Sequence, residues 1–261
     1  ENGEYKGGPM YYIKYGISTR FPLAEIFAVC CALGAFGTGN LAQSSAISSC
    51  FESYFKIPPL ITGVLVLFVC AFMIYMPMSR LCSFMSVTVP ILTRMFVGAC
   101  VCIIFANIAC FPKAIETIVR DAFNLNAVGG GAVGVISSSA FRQGFSKGIF
   151  TNEAGMGSSA IAHASAQNTN EVTQGCFGEL EVFIDTTVMC SLCGTAIVIS
   201  GFHTGADGAL MLQNAIISVF SDFGGVFCCV CIFLFAVCSI VTWSQYGSSS
   251  VAFLSKKKSA V

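Results

Sequence analysis

The stretch from Phe141 to Ala166 reads Phe-Arg-Gln-Gly-Phe-Ser-Lys-Gly-Ile-Phe-Thr-Asn-Glu-Ala-Gly-Met-Gly-Ser-Ser-Ala-Ile-Ala-His-Ala-Ser-Ala. It sets Arg142, Lys147, Asn152, Glu153 and His163 among apolar runs and interrupts its own backbone with Gly155 and Gly157. A charge at bilayer depth is costly, so such side chains face a protein interior or a water-filled cavity. Non-helical backbone at that depth is tolerated only where protein buries it or it lines a cavity. Glycine permits unusual φ and a close approach of ligand to backbone. Unwinding would free carbonyls for Na⁺ and amides for a carboxylate. Asn152, Glu153, Gly155, Gly157 and Ser158 are therefore candidate binding residues, and Arg142 a candidate gating residue. In the alternative reading the glycines serve close helix packing, and Glu153 pairs with Arg142 or Lys147.

Three other constellations carry polar chemistry. Asn40, Gln43 and Ser44 lie at i, i+3 and i+4 after Gly37-Thr-Gly, a spacing that shares one helix face. They line a cavity or bond across helices. Glu181 and Asp185 lie at i, i+4 and repel unless a cation or a shared proton lies between them. Asp185 is read as a structural or gating residue, with Arg94 or Lys147 as its alternative partners. Ser239, Thr242, Trp243, Ser244, Gln245 and Tyr246 follow a very apolar run. Their hydroxyls are hard oxygen donors suited to an alkali ion, which makes Thr242 and Ser244 candidate Na⁺ ligands. Alternatively, Trp243 and Tyr246 form an interfacial aromatic belt, and the hydroxyls bond back to their own helix.

The elements that position these residues must be membrane helices. Of 261 residues, 55% are hydrophobic and 10% charged, whereas soluble domains are about 25% charged. A spanning helix needs about 20 apolar residues, and six segments are expected to cross: 23–49, 59–78, 87–111, 127–166, 177–200 and 226–254. The fourth is expected to be broken. Residues 114–123 and 209–220 have the pattern of short surface helices. The fold class is all-α membrane protein, one transmembrane domain surrounded by lipid. Cationic residues collect at cytoplasmic ends. Lys6, Lys14, Arg20, Arg80, Lys256, Lys257 and Lys258 fall on one side, against Lys56, Lys113 and Arg120 on the other. Both ends of the chain are then expected in the cytoplasm.

Other classes find little support. A formal net charge of zero gives no electrostatic case for nucleic acid. No H-E-x-x-H or Walker pattern occurs, and no motif here makes a case for an enzyme. His163 and His203 stand on separate segments without metal-ligand spacing. Fifteen cysteines include two C-x-x-C pairs, Cys190/Cys193 and Cys228/Cys231. Inside apolar runs, Cys serves as a small hydrophobe; a redox or metal role is the alternative. The chain starts Glu1-Asn2-Gly3, and it is expected to be a piece of a longer protein.

The residues resemble one family, the sodium:alanine (alanine or glycine:cation) symporters. Three stretches carry the likeness: Gly3-Glu-Tyr-Lys-Gly-Gly-Pro-Met-Tyr-Tyr-Ile13, Gly148-Ile-Phe-Thr-Asn-Glu-Ala-Gly-Met-Gly-Ser-Ser-Ala-Ile-Ala-His-Ala164 and Glu181-Val-Phe-Ile-Asp-Thr186. Trp243-Ser-Gln-Tyr-Gly247 falls in the expected late helix, although Ser248 stands where the family usually has Glu. The resemblance implies an inverted-repeat helix bundle of the amino-acid/sodium symporter type. This chain would be its third to eighth core helices, and segment 127–166 the broken sixth. Gly37-Thr-Gly-Asn40 looks like a first-helix motif, but its position after Gly-Gly-Pro-Met-Tyr-Tyr puts it in the third helix. The implied activity is Na⁺-coupled symport of a small neutral amino acid, alanine or glycine, across the plasma (inner) membrane. Na⁺ is the coupling ion, and no organic cofactor is implied. A non-transporting channel, scaffold or remnant of such a transporter is the alternative. If the cysteines serve only as small apolar side chains, Cys190→Ala and Cys228→Ala leave uptake of labelled alanine intact; loss in either variant would favour the redox or metal role.

Overall fold

Prolines and caps decide where the helices begin and end. The computed structural model describes residues 7–17, 22–122, 144, 148–149, 151–153, 155–164, 166, 170–203 and 208–256. Helix α1 (Pro9–Gly16) begins on a proline, whose missing N–H is no loss at a helix start, and ends at Ile17. Helix α2 runs over Leu23–Phe55 and contains a π-helical stretch, Ala35–Leu41. It stops at Lys56, whose backbone turns left-handed (φ 58) and whose Nζ donates to Ser53 O at 2.8 Å. Pro58 and Pro59 then start α3 (Pro59–Ile74).

Pro77 precedes α4 (Met78–Ala106), which carries Pro90 inside it. An interior proline removes one helical hydrogen bond, a loss membrane helices tolerate where neighbours satisfy the freed group. Helix α5 (Phe111–Ala122) follows, and α6 (Ser159–His163) is a single short turn. Asn170 caps α7 (Glu171–Ile199) by accepting from Val172 N at 3.0 Å and Thr173 N at 3.2 Å. A second π-helical stretch, Phe183–Met189, lies inside α7. The last element, α8 (Gly208–Lys256), is two helices meeting at Ser221, whose backbone (φ 52, ψ −139) is not helical.

No strand occurs among the described residues, and four helices are long and apolar enough to span: Leu23–Phe55, Arg80–Ala106, Glu171–Ile199 and Gly208–Ser255. The chain is an all-α, multi-pass membrane protein. The expected segment 59–78 is shorter, a 16-residue helix ending at Ile74. The expected segment 87–111 begins earlier, at Met78, because Pro77 sets its start. Residues 127–147, with Arg142 and Lys147, fall almost wholly outside the described residues.

The α8 helix is the element around which the rest packs. It contributes Cys228 and Cys231 to a core with Cys100, Ile103, Ala196 and Ile199. It contributes Trp243, Tyr246 and Phe253 to a second core with α1, α2 and Ile161. A third core joins its Ala236, Val237 and Val241 to Ile47, Val66 and Cys70. In a bilayer, apolar burial between helices gains little, so close packing and interhelical hydrogen bonds hold such a bundle. Gln213, fully buried in α8, donates to Cys50 O at 3.2 Å. Tyr54 donates to Asp222 O at 2.7 Å beside Gly225, where an added Cβ would fall on the Tyr54 ring. All fifteen thiols are free. The first C-x-x-C pair points two ways: Cys190 is exposed, while Cys193 Sγ lies 3.9 Å from Cys100 Sγ on α4.

Gly225→Ala forces the Tyr54 ring aside, an overpacking that costs about 1–3 kcal/mol. A lowered melting temperature in detergent checks this. Gly63→Ala is the control, because nothing lies within 4 Å of a Cβ at Gly63.

Candidate functional site

The backbone leaves the helix at Glu153. Residues 148–149 and 151–152 are helical; Glu153 then turns left-handed (φ 54), residues 155–157 form a turn, and helix resumes at Ser159. The turn closes on the Glu153 carbonyl, which accepts from Met156 N at 3.0 Å and Gly157 N at 3.1 Å. The Glu153 side chain closes it again, because Ser158 Oγ, 2% exposed, donates to Glu153 Oε2 at 2.9 Å. One residue thus satisfies three donors around the break. Gly157 (φ +73) is in a conformation L side chains rarely adopt, and its Cβ would meet Pro9 Cγ at 3.0 Å and Phe27 Cε2 at 3.4 Å. A Cβ at Gly155 would meet Ile149 Cγ2 at 2.7 Å. Both glycines are therefore seats for packing and, at Gly157, for backbone geometry as well. Ala154 lies outside the described residues.

A cavity of about 820 Å³ opens beside this break. Arg94 of α4, Asn152 and Glu153 of the break, Glu181 and Asp185 of α7, and Thr242 of α8 line it. Asp185 sits in the π-helical stretch, and its Oδ2 is enclosed without a hydrogen-bond partner among the described residues. Single-turn π-bulges recur at functional sites. Asn152 Nδ2 donates to Thr186 Oγ1 at 3.5 Å, a long bond. Arg94 and Asp185 share the cavity without an ion pair between them, so that structural pairing is not made; Lys147, its alternative, lies outside the described residues. Arg142 lies outside them too. At the edge, Glu181 Oε2 stands 3.1 Å from His163 Nε2, and Gln174 Nε2 stands 2.6 Å from His163 Nδ1. The tautomer with Nε2–H donating to Glu181 and Nδ1 accepting from Gln174 serves both contacts.

The remaining candidates are not gathered there. Asn40, in the π-helical stretch of α2, lines a second cavity of about 470 Å³ with Ser244, and its Oδ1 has no hydrogen-bond partner among the described residues. Gln43 is half-buried and lines neither cavity. Ser44 Oγ donates to Leu41 O at 3.1 Å. The shared face expected from 3.6-residue periodicity assumes a regular helix, and the π-helical i→i+5 pattern resets the register between Asn40 and Gln43. Thr242 and Ser244 also part company, one at each cavity. Both hydroxyls donate to their own helix, Thr242 to Cys238 O at 2.9 Å and Ser244 to Ile240 O at 2.8 Å. Each oxygen keeps acceptor capacity, but the pair does not form one site.

Sequence reasoning undervalued two aromatic residues. Trp243 and Tyr246 are 3% and 6% exposed, which rules out an aromatic belt facing lipid headgroups. Trp243 packs on Gly39, where a Cβ would meet its Cγ at 2.5 Å. The Tyr246 phenol is directed at the Glu153 carboxylate. Their i, i+3 spacing on a polar helix end was the only sign in the sequence. His163, which the sequence offered only as lacking metal-ligand spacing, ties α6 to α7.

Comparison with known proteins gives one consistent picture. A model of the "Sodium:alanine symporter family" matches residues 1–261. An uncharacterized transporter of Haemophilus influenzae is 34% identical over 97% of this chain and 56% of its own length. The probable sodium/glutamine symporter GlnT of Bacillus subtilis is 32% identical over 98% and 53%. The sodium/alanine symporter AgcS of Methanococcus maripaludis is 30% identical over 97% and 57%. The chain thus spans about half the length of the curated relatives it matches. The family is one of transporters, not of enzymes, and with the match running from the first residue to the last, this chain belongs to the sodium:alanine symporter family.

Proposed function

We propose that the protein to which this chain belongs carries a small neutral amino acid, alanine or glycine, across the plasma membrane together with Na⁺, by alternating access. The observation that carries this reading is the break at residues 153–158, with two left-handed residues, next to a cavity lined by carboxyl and hydroxyl groups. Irregular backbone at bilayer depth has main-chain dipoles to offer a zwitterion, and carboxylates beside it offset the charge of an ammonium or an alkali ion.

In this reading Asn152, Glu153, Gly155, Gly157 and Ser158 form the chain's side of the substrate site. Gln43 and Asn40 of α2 belong to the substrate site as well, and Na⁺ draws an oxygen from Thr242 at the first cavity or from Ser244 at the second, since the two do not form one site. Asp185 and Arg142 act in gating. Segments outside these 261 residues supply the rest of an inverted-repeat bundle. Na⁺ binding favours the outward-open state, and rocking of the bundle releases both solutes inside, where both ends of this chain lie. One named relative is a probable glutamine symporter, so glutamine belongs beside alanine and glycine in any substrate panel.

Uptake into proteoliposomes holding the full-length protein tests the reading. Alanine or glycine accumulates when Na⁺ is high outside and not when K⁺ replaces it. Uptake indifferent to Na⁺, for every neutral amino acid tried, contradicts it and favours the channel or scaffold alternative. Gly157→Val forces a β-branched side chain into φ +73 against Pro9. It inserts normally and loses uptake to background; wild-type uptake by this variant removes the break from the site.

A further inference from the structure

The molecule holds a chain of contacts that the transport reading does not use. Trp243 and Tyr246 stand one helical turn apart on α8, their ring centroids 5.5 Å apart and their planes at 75°, an edge contact. Trp243 seats on Gly39 in the π-helical stretch of α2. Tyr246 reaches the other way: it lines the same cavity wall as Glu153, with its phenol toward that carboxylate. That carboxylate also accepts from Ser158. Three elements that bear candidate site residues are therefore joined through two rings on one face of α8.

We propose that Tyr246 is a positioning residue: its phenol holds the Glu153 carboxylate in place at the break, and its edge contact with Trp243 ties that placement to the π-helical stretch of α2. A carboxylate accepting from Ser158 alone can rotate about its remaining torsions; a second donor from another helix fixes it. Buried groups of this kind act as a unit, because each polarises the next. Burial favours the assignment: Tyr246 is 6% exposed and Trp243 3%, so neither ring serves a lipid-facing role. The transport consequence rests on the symport reading above, but the geometric claim does not.

Two readouts separate them. Tyr246→Phe keeps the ring and removes only the hydroxyl. A hydrogen bond to a charged group contributes about 1.5–3 kcal/mol, so Na⁺-driven uptake falls about ten- to a hundredfold at an unchanged melting temperature. In a Glu153→Gln background the same change costs less than about threefold, because the group it positions has been altered. Effects that simply multiply would assign Tyr246 a packing role and overturn the proposal. The second readout needs no transport. Trp243 is the only tryptophan of these 261 residues, and any outside them is replaced by Phe. Glu153→Gln, which leaves Trp243 and its seat unaltered, shifts the Trp243 emission when Tyr246 is present and leaves it unshifted in Tyr246→Phe. An equal shift in both backgrounds overturns the proposal. Should Tyr246→Phe not insert, an emission unchanged by Glu153→Gln alone also overturns it. A wild-type protein that shows the emission pattern but no Na⁺-driven uptake would fail the symport reading and leave the positioning role standing.

Discussion

Everything in this structure turns on one constraint: a polar backbone group withdrawn from water must find its partner inside the protein. A helix meets that demand by itself; a break does not. At residues 153–158 the demand is met locally, because the Glu153 carbonyl accepts from Met156 and Gly157 while its carboxylate accepts from Ser158. The same residue that opens the helix repairs most of what opening exposes. Helix can then resume at Ser159, and the backbone in between is held in an irregular but defined shape. Gly157 belongs to the same solution, because its φ of +73 suits glycine and its missing Cβ leaves room for Pro9 and Phe27.

A defined break is useful only if its surroundings are rigid. Here α8 provides the frame, with residues in all three cores. Its approach to α2 depends on glycine seats at both ends, Gly39 under Trp243 and Gly225 under Tyr54. The two π-helical stretches, Ala35–Leu41 and Phe183–Met189, bring Asn40 and Asp185 to cavity walls with oxygen atoms that lack hydrogen-bond partners among the described residues. These unsatisfied oxygens and the self-satisfied break are complementary features: one holds its shape without a ligand, and the other gains from meeting one.

Much of this was legible in the sequence, for identifiable reasons. The membrane class follows from apolar runs that no soluble core of this length would need. The break follows from Asn-Glu-Ala-Gly-Met-Gly-Ser, whose residue types oppose a continuous apolar helix. Asp185 stood out as a carboxylate inside an apolar helix, read as structural or gating; the cavity beside it came from the structure. What the sequence hid was register. Asn40 and Gln43 share a face only if the helix between them is regular, and nothing local marks the π-helical stretch, whose Gly39 packs on Trp243, far away in the chain. Likewise Thr242 and Ser244 look like a pair in sequence, but two residues along a helix turn them toward different cavities. Tyr246 was taken for a possible belt residue because nothing local reveals that Glu153 lies opposite.

The most direct measurement of the central claim is amide hydrogen exchange across residues 153–158 in the full-length protein, with alanine in Na⁺ and with alanine in K⁺. If the broken segment receives the amino acid, its amides slow markedly in Na⁺ with alanine and stay unchanged in K⁺. Slowed exchange elsewhere in the protein, with the break unaffected under both conditions, would contradict the account and place the substrate away from Glu153 and Gly157.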